Sequence, residues 1–317
     1  MIDVVALGEL LIDFTMVGKD ADGYPTMAAH PGGAVANFLA ALAKFGAKTA
    51  LLGKVGQDTF GKLLLGTLEK AGIDTRGMVM DSGVFTTLAF VTLDETGDRS
   101  FAFARKPGAD TCISFEELDL SLLDETKALH FGTLSLTHEP ARRATQLAVA
   151  YAKERGKLIT YDPNLREPLW EDLQEAKEQL LWGLSQADVV KISDNEVQFL
   201  FGLEPEAGAE YIMKNFNTKL VFVTCGSEGC CFRNPIASGR VPALQGVKVV
   251  DTTGAGDIFG GSALWKLLQF GKAPQELTEQ ELRQVVSFAC ASAGLSTMKQ
   301  GGISSVPELE QVLAAIS

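Results

Sequence analysis

Short runs of aliphatic and branched residues recur along the chain, at Val4 to Gly8, Ala50 to Val55, Ala128 to Phe131, Leu158 to Tyr161, Val189 to Ile192 and Leu220 to Thr224, with longer segments of helical period between them. A strand that reads as an unbroken apolar run is buried on both faces, and parallel neighbours covered by crossover helices supply that burial. The alternation therefore predicts βαβ units and an α/β fold, a doubly wound and mainly parallel sheet flanked by helices. Ligands in such sheets bind outside the carboxyl ends of strands, so the residues just after each run are the ones to search for chemistry. The 317 residues exceed a typical domain of roughly 100–200, yet no linker, repeat or low-complexity tract divides them, and one unit spanning 1–317 is expected.

One stretch departs from the alternation. Val84 to Leu93, then Asp94-Glu95-Thr96-Gly97-Asp98, then Arg99 to Arg105 reads as a β-hairpin with a turn of Asp, Thr and Gly. Its alternation puts Phe101, Phe103 and Arg105 on one face. A hairpin inserted in a βαβ series reads equally as an edge pair packed on the core or as a lid.

Charge and composition narrow the partners. Twenty-eight basic against 40 acidic residues leave a net charge of −12, so no long-range positive field gathers nucleic acid or an anionic membrane, and a phosphate ligand needs a local site. Met1 to Gly8 reads as a first strand, not a signal peptide, and no apolar run approaches the roughly 20 residues of a bilayer span. The five cysteines, Cys230 and Cys231 adjacent among them, lack metal-ligand spacing and are too sparse for a disulfide framework. They read as buried small hydrophobes in a cytoplasmic protein.

The most informative segment runs from Val249 to Leu268. A short strand is expected at Val249-Val250, then the turn Asp251-Thr252-Thr253-Gly254-Ala255-Gly256-Asp257, then a long apolar helix. Unpaired amides and the dipole at a helix start form an anion site, and phosphate is the expected guest. Asp257 reads either as an N-cap or as the acceptor of a proton from an attacking hydroxyl, the task that would justify a carboxylate beside phosphate. The Gly-x-Gly-x-x-x-Gly spacing, near the carboxyl end and with no acidic strand end after it, is not a dinucleotide fingerprint. Gly56 to Leu63 mimics a P-loop but has Leu63 where Ser or Thr is required. Gly32-Gly33 precedes a helix with apolar Val35, Leu39, Leu42 and Phe45, and Asn37 lies one turn inside it, either on the helix surface or reaching back over the glycines.

Together these residues resemble the ribokinase-like (pfkB) carbohydrate kinases, from the first strand to the last helix. Gly32-Gly33 through Asn37, with Gly53-x-x-Gly56-x-Asp58-x-x-Gly61, is similar to the family's sugar-side pattern, and Asp251 to Asp257, followed by Gly260, Gly261 and Ser262, to its phosphate-side pattern. Gly8-Glu9-Leu10-Leu11-Ile12-Asp13, Gly132-Thr133-Leu134-Ser135-Leu136 and Tyr161-Asp162-Pro163-Asn164-Leu165-Arg166 resemble the bacterial fructokinases within it.

The resemblance implies the following roles. Asp257 is the catalytic base, and the amides of Gly254, Ala255 and Gly256 stabilise the phosphoryl group. Asp13, Gly32, Gly33, Asn37 and Phe103 bind sugar, while Arg105 and Arg166 face the sugar or the phosphoryl group. For Arg166 a surface ion pair with Glu167 or Asp162 is the alternative. ATP is held by Lys191, Glu196, Thr224, Gly226, Ser227, Gly229, Gly254 and Gly256, although Thr224 to Gly229 by itself reads as a hairpin turn. Mg²⁺ is held through water by Glu196, with Ser193 where many relatives have Asn and Asn195 out of register. Asp251 and Thr253, with carbonyls of Ser296, Gly301 and Ser305, match a monovalent-cation site, so K⁺ is a further expected ion. Inserts at about 14–30 and 84–105 form the lid, whose edges would pair two copies. The expected reaction is ATP-dependent phosphorylation of a free hexose, fructose above all, at its primary hydroxyl. Ribose, 2-keto-3-deoxygluconate or a nucleoside as acceptor, or a non-catalytic sugar sensor, are the alternatives.

Overall fold

The computed structural model describes residues 1–93 and 99–316, so the expected turn at 94–98 and the placement of the Phe101 side chain lie outside what it describes. Strand β1 (Ile2–Leu7) leads into the antiparallel pair β2 (Leu11–Lys19) and β3 (Pro25–Gly32) and then helix α1 (Ala34–Lys44). After β4 (Thr49–Gly56), α2 (Thr59–Lys70), β5 (Ile73–Asp74) and β6 (Met78–Asp81), a second antiparallel pair forms from β7 (Leu88–Leu93) and β8 (Arg99–Ala104). Then come α3 (Leu120–Glu125), β9 (Thr126–Gly132), α4 (Ala141–Glu154), β10 (Leu158–Asp162), α5 (Leu173–Gln186), β11 (Val189–Ser193), α6 (Asp194–Phe201) and α7 (Pro205–Asn215). A closing meander, β12 (Leu220–Thr224), β13 (Cys230–Arg233) and β14 (Ser238–Val241), precedes α8 (Ala255–Gln269), α9 (Glu279–Ser296) and α10 (Leu309–Ala315).

The main sheet has the order β14-β13-β12-β11-β10-β9-β1-β4-β5, with β6 also on β4; the β12–β13 and β13–β14 pairings are antiparallel and the others are parallel. The central strands divide their side chains between two cores. Val4, Ala6, Leu51 and Val55 join α1, α2, α8, α9 and α10 on one face, while Val5, Leu7, Ala50 and Leu52 join α3 to α7 on the other. This two-sided burial is why the strands read as continuous apolar runs. Strand order reverses at β1, with β4 on one side and β9 on the other, so the crevice beyond the carboxyl ends of β1, β9 and β10 is the place for a ligand.

The expected strand at Val249-Val250 is absent. Both residues are more than half exposed, and the amides of Val250 and Asp251 turn to the Thr297 carbonyl at 2.8 and 3.0 Å instead of to a sheet neighbour.

The two antiparallel pairs form one four-stranded sheet, β3-β2-β7-β8, with β2 and β7 parallel at its centre. The expected strand from Val84 begins only at Leu88, because the residues before it fasten the sheet to the core. Asp58, the N-cap of α2, accepts from Gly61 N at 2.8 Å, Thr86 N at 2.8 Å and Thr86 Oγ1 at 2.9 Å, and Thr86 Oγ1 accepts from Gly56 N at 3.0 Å. Added side chains at Gly56 or Gly61 would collide with this knot. The Gly53 to Gly61 motif is thus a fastening for the small sheet and supplies no atom to the cavity described below. Burial opposes the charge of Asp58, but the Thr86 and Gly61 donors outweigh it and hold its pKa below the ordinary value. Asp58→Ala should cost about 1–3 kcal/mol in urea unfolding, from a lost cap and orphaned donors; a loss below about 0.5 kcal/mol, the size of a neutral surface change, would contradict this account.

Candidate active site

The site starts from a close helix crossing. An added Cβ at Gly261 of α8 would overlap the Phe38 carbonyl of α1, and one at Gly260 would stand 3.3 Å from the Phe38 ring. Two glycines therefore let α8 lie against α1 and bring their amino-terminal turns together. Gly254, at φ 75°, starts α8 in a conformation that suits glycine, and no side chain caps the helix. Asp257 is not that cap. It lies one turn in, 7% exposed, with Oδ2 accepting from Asn37 Nδ2 at 2.9 Å and Oδ1 from Asn164 Nδ2 at 3.1 Å. The Asn37 amide lies within 3.0 Å of where a side chain on Gly254 would begin, and a side chain on Gly302 would overlap it.

Beside Asp257 lies a cavity of about 190 Å³, lined by residues from both sheets: Glu9 after β1, Asp13 and Thr15 of β2, Val91 and Phe103 of the β7–β8 pair, Gly33, Asn37, Leu134, Arg166, and Thr252 to Gly254. Of the expected sugar ligands it gathers Asp13, Gly33, Asn37, Phe103 and Arg166. Gly32 shapes it from behind, because a side chain there would overlap the Asp13 carboxylate, and Gly33, at φ 118°, packs on the Glu9 carbonyl. Burial pushes the Asp13 pKa up to about 6; Arg166 opposes that rise, while Asp257 and Asp251 add to it. The alternative pairing of Arg166 does not form with Asp162, which is taken by Lys191 at 3.0 Å, and Glu167 is exposed.

Arg105 departs from expectation. Its guanidinium is 3% exposed and turned away from the cavity, donating from Nε and Nη2 to Asp110 Oδ2 at 2.8 and 2.6 Å, from Nη1 to Thr137 Oγ1 and from Nη2 to the Leu134 carbonyl. Asp110 also accepts from Thr87 Oγ1. The pair thus ties the two legs of the β7–β8 hairpin to the core. Since β8 ends at Ala104, the alternation that puts Phe103 in the cavity wall no longer governs Arg105.

On the other side of Asp257, Lys191 of β11 reaches the start of α8, its Nζ lying 3.0 Å from where a side chain on Gly256 would begin. Burial opposes its charge, but Asp162, Glu196 and Asp257 outweigh that and raise its pKa above the ordinary value. Glu196 accepts from Leu165 N with Oε1 at 2.7 Å, and from Ser193 N and Oγ with Oε2, both at 2.8 Å. Ser193 and Glu196 form a capping box for α6, and Asn195 is exposed. The Thr224 to Gly229 segment is the hairpin between β12 and β13, with Gly226 at φ 51° and Gly229 at φ 95°; Gly226 and Ser227 are exposed at the carboxyl end of β12.

Of the residues expected to hold a monovalent cation, Thr253 and Gly301 both hydrogen-bond to Asp251, while the Ser296 and Ser305 side chains bond within their own segments. Asp251 accepts from Thr253 N at 2.9 Å and Oγ1 at 2.7 Å, and from Gly301 N at 3.0 Å, while Ser305 donates to the Gly302 carbonyl at 2.8 Å and Ser296 to that of Ala293 at 2.7 Å. Among the described residues no cluster of three or more His, Cys, Asp or Glu is placed to hold a metal.

Sequence reasoning passed over Glu9 and Asn164. Both lie just past the carboxyl end of a strand, β1 and β10, and that position was the available signal. Glu9 is buried, accepts from Ala34 N at the start of α1 at 2.6 Å, and has its pKa pushed up to about 7 by burial.

The model of the pfkB family carbohydrate kinases matches residues 1–309. Fructokinase-1 of Zea mays is 41% identical over 317 residues, spanning 99% of this chain and 97% of its own. The fructokinase of Xylella fastidiosa with bound ATP superposes with a TM-score of 0.90 at 30% identity, covering 99% of this chain and 98% of that one. A fructokinase double mutant of Vibrio cholerae O395, in its fructose, ADP and potassium ion bound form, gives a TM-score of 0.87 at 31% identity, covering 100% and 99%. These neighbours share the α/β fold.

The helix crossing yields a graded prediction. Gly261→Ala forces backbone apart and should cost about 1–3 kcal/mol in denaturant unfolding, the scale of an overpacked core. Gly260→Ala meets only a ring edge that can shift and should cost less; the reverse order would refute the crossing as described.

Proposed function

The chain belongs to the pfkB family of carbohydrate kinases, and from that premise we propose that it transfers the γ-phosphoryl group of ATP to the primary hydroxyl of D-fructose, giving fructose 6-phosphate and ADP. The observation that carries this reading is Asp257, a buried carboxylate at the uncapped start of α8, facing a cavity of sugar size. As the hydroxyl oxygen bonds to the γ-phosphorus, the bond from phosphorus to the bridging oxygen breaks, ADP leaves with that electron pair, and Asp257 takes the hydroxyl proton. The amides of Gly254 and Gly256, backed by the dipole of α8 and the Lys191 ammonium, stabilise the transferring charge, whereas the expected Ala255 amide donates to the Thr252 carbonyl at 3.3 Å. Asp13, Gly33, Asn37 and Arg166 address the sugar's hydroxyls, and Phe103 closes one wall.

When bound, Mg²⁺ would neutralise charge on the ATP phosphates. A carboxylate offers about four acceptor positions. Glu196 already receives three donors, so it fits a metal-bound water better than a direct metal bond. The meeting of Asp251 with the 301–305 loop supports a K⁺ site built largely of carbonyls. Residues 1–317 form one catalytic unit in which the small sheet is the lid, since it supplies Asp13, Thr15, Val91 and Phe103 to the cavity. Its outer strands β3 and β8 would pair two copies edge to edge. No described helix is long and apolar enough to cross a membrane. All five cysteines are free, which supports a reducing compartment such as the cytoplasm.

A coupled ADP assay against a panel of sugars tests the acceptor: fructose should give the highest kcat/KM, and another sugar exceeding it would overturn the choice. Asp257→Asn should lower turnover by about 10²-fold or more while calorimetry finds sugar still bound; turnover near the parent level would refute the base. Ionised Asp13 accepts hydrogen bonds from sugar hydroxyls, and protonation removes that capacity. KM for fructose should therefore be flat above about pH 7 and rise as pH falls through about 6. Asp13→Asn should abolish that dependence, and an unchanged KM–pH profile in this variant would assign the titration elsewhere.

A further inference from the structure

We propose that Asn164 is a positioning residue for Asp257, holding its carboxylate turned toward the cavity; this rests on the reading of Asp257 as proton acceptor. Asn164 is the one non-glycine residue with positive φ among those described, at 50°, and it is 7% exposed. Glycine adopts that backbone at least cost, and asparagine tolerates it better than most residues but not as well as glycine. A side chain kept where the backbone favours none points to a task for the side chain. That task is visible in the hydrogen bond from Nδ2 to Asp257 Oδ1 at 3.1 Å.

The conformation is imposed from both sides. The Pro163 carbonyl accepts from Thr133 N at 3.3 Å and from Thr133 Oγ1, and Leu165 N donates to Glu196 Oε1 at 2.7 Å. The peptide groups flanking Asn164 are thus pinned by the segment after β9 and by α6. A costly φ persists where the surroundings over-determine it in this way, and such sites cluster where geometry serves function.

The carboxylate needs holding because of its neighbours. Asp13 of β2 and Asp162 of β10 repel its charge, while Lys191 of β11 attracts it. Left to Lys191, the carboxylate would turn toward that ammonium, on the side of Asp257 opposite the cavity. Neutral amide donors on each oxygen, Asn37 on Oδ2 and Asn164 on Oδ1, fix its rotation without adding charge. Each oxygen keeps acceptor capacity for the incoming proton.

Steady-state kinetics on the full-length enzyme with ATP, Mg²⁺ and fructose, for Asn164→Gly, Asn164→Asp and Asp257→Asn side by side, test this. Asn164→Gly keeps or relaxes the backbone and removes only the amide. Its kcat should fall about 10-fold or more while KM for both substrates stays within about two-fold and the melting temperature does not drop. Asn164→Asp tolerates the same φ but replaces the amide donor with a carboxylate facing that of Asp257, so its kcat should fall at least as far as that of Asn164→Gly. Turnover of Asn164→Gly within two-fold of the parent, or a loss appearing only in KM, would overturn the inference. If Asp257→Asn is crippled while both Asn164 variants match the parent, only the role of Asn164 fails. If Asp257→Asn itself matches the parent, the proton-acceptor reading fails and the inference with it.

Discussion

The crossing of α1 over α8 is the contact from which the rest of the site follows. Helix axes ordinarily stand 8–10 Å apart, set by the side chains between them. Here Gly260 and Gly261 leave only backbone against Phe38, and the two amino-terminal turns converge. The helix starts are then treated differently. At α1 the Ala34 amide is met by Glu9, an internal carboxylate that occupies the place of an anion. At α8 no side chain caps the helix, and the dipole and Lys191 are left to act on whatever arrives. On the proposed reading, a phosphate would be directed to one of two adjacent helix ends, the one that carries Asp257.

Assembling the site works against stability near neutral pH. Glu9 and Asp13 have folded-state pKa values of about 7 and about 6, above their unfolded values, because burial penalises their charge. Between the unfolded and folded values the native state therefore binds more protons than the unfolded chain, and its stability falls as pH rises through that window. Asp58 has the opposite sign. Its folded pKa is depressed, so its contribution is present above the unfolded value and is lost only as pH falls through the folded one. The residue that fastens the small sheet supports the fold at neutral pH, whereas the residues that line the cavity draw on stability supplied by the two apolar cores. A sugar whose hydroxyls donate to Asp13 would return part of that cost on binding.

The sheet was legible because its strands are buried on both faces, which leaves continuous apolar runs that need no partner information to recognise. The start of α8 was legible because glycine and aspartate there answer local demands of backbone and charge. What escaped depended on contacts distant in sequence. Parity along β8 predicts Phe103 and fails one residue past the strand, where Asp110 and Thr137 capture Arg105. Val249 and Val250 have strand composition but no strand beside them, and the Thr297 carbonyl takes the amides of Val250 and Asp251. Nothing in a sequence announces a positive φ at an asparagine, so Asn164 looked like one more residue of a family phrase.

Ser193 shows how a departure from a family pattern can be absorbed. Where many relatives have Asn, Ser caps α6, and the capping box fixes Glu196 Oε2. The other oxygen is then aimed at Leu165 N, one peptide beyond Asn164. The carboxylate expected near the metal therefore has a second job that needs no metal, which is to pin the loop carrying the amide that reaches Asp257. Exchanging Ser193 for Asn preserves a side-chain acceptor at the cap, since both are good N-caps. The geometry around Asp257 thus depends on the cap being filled and not on which of the two residues fills it.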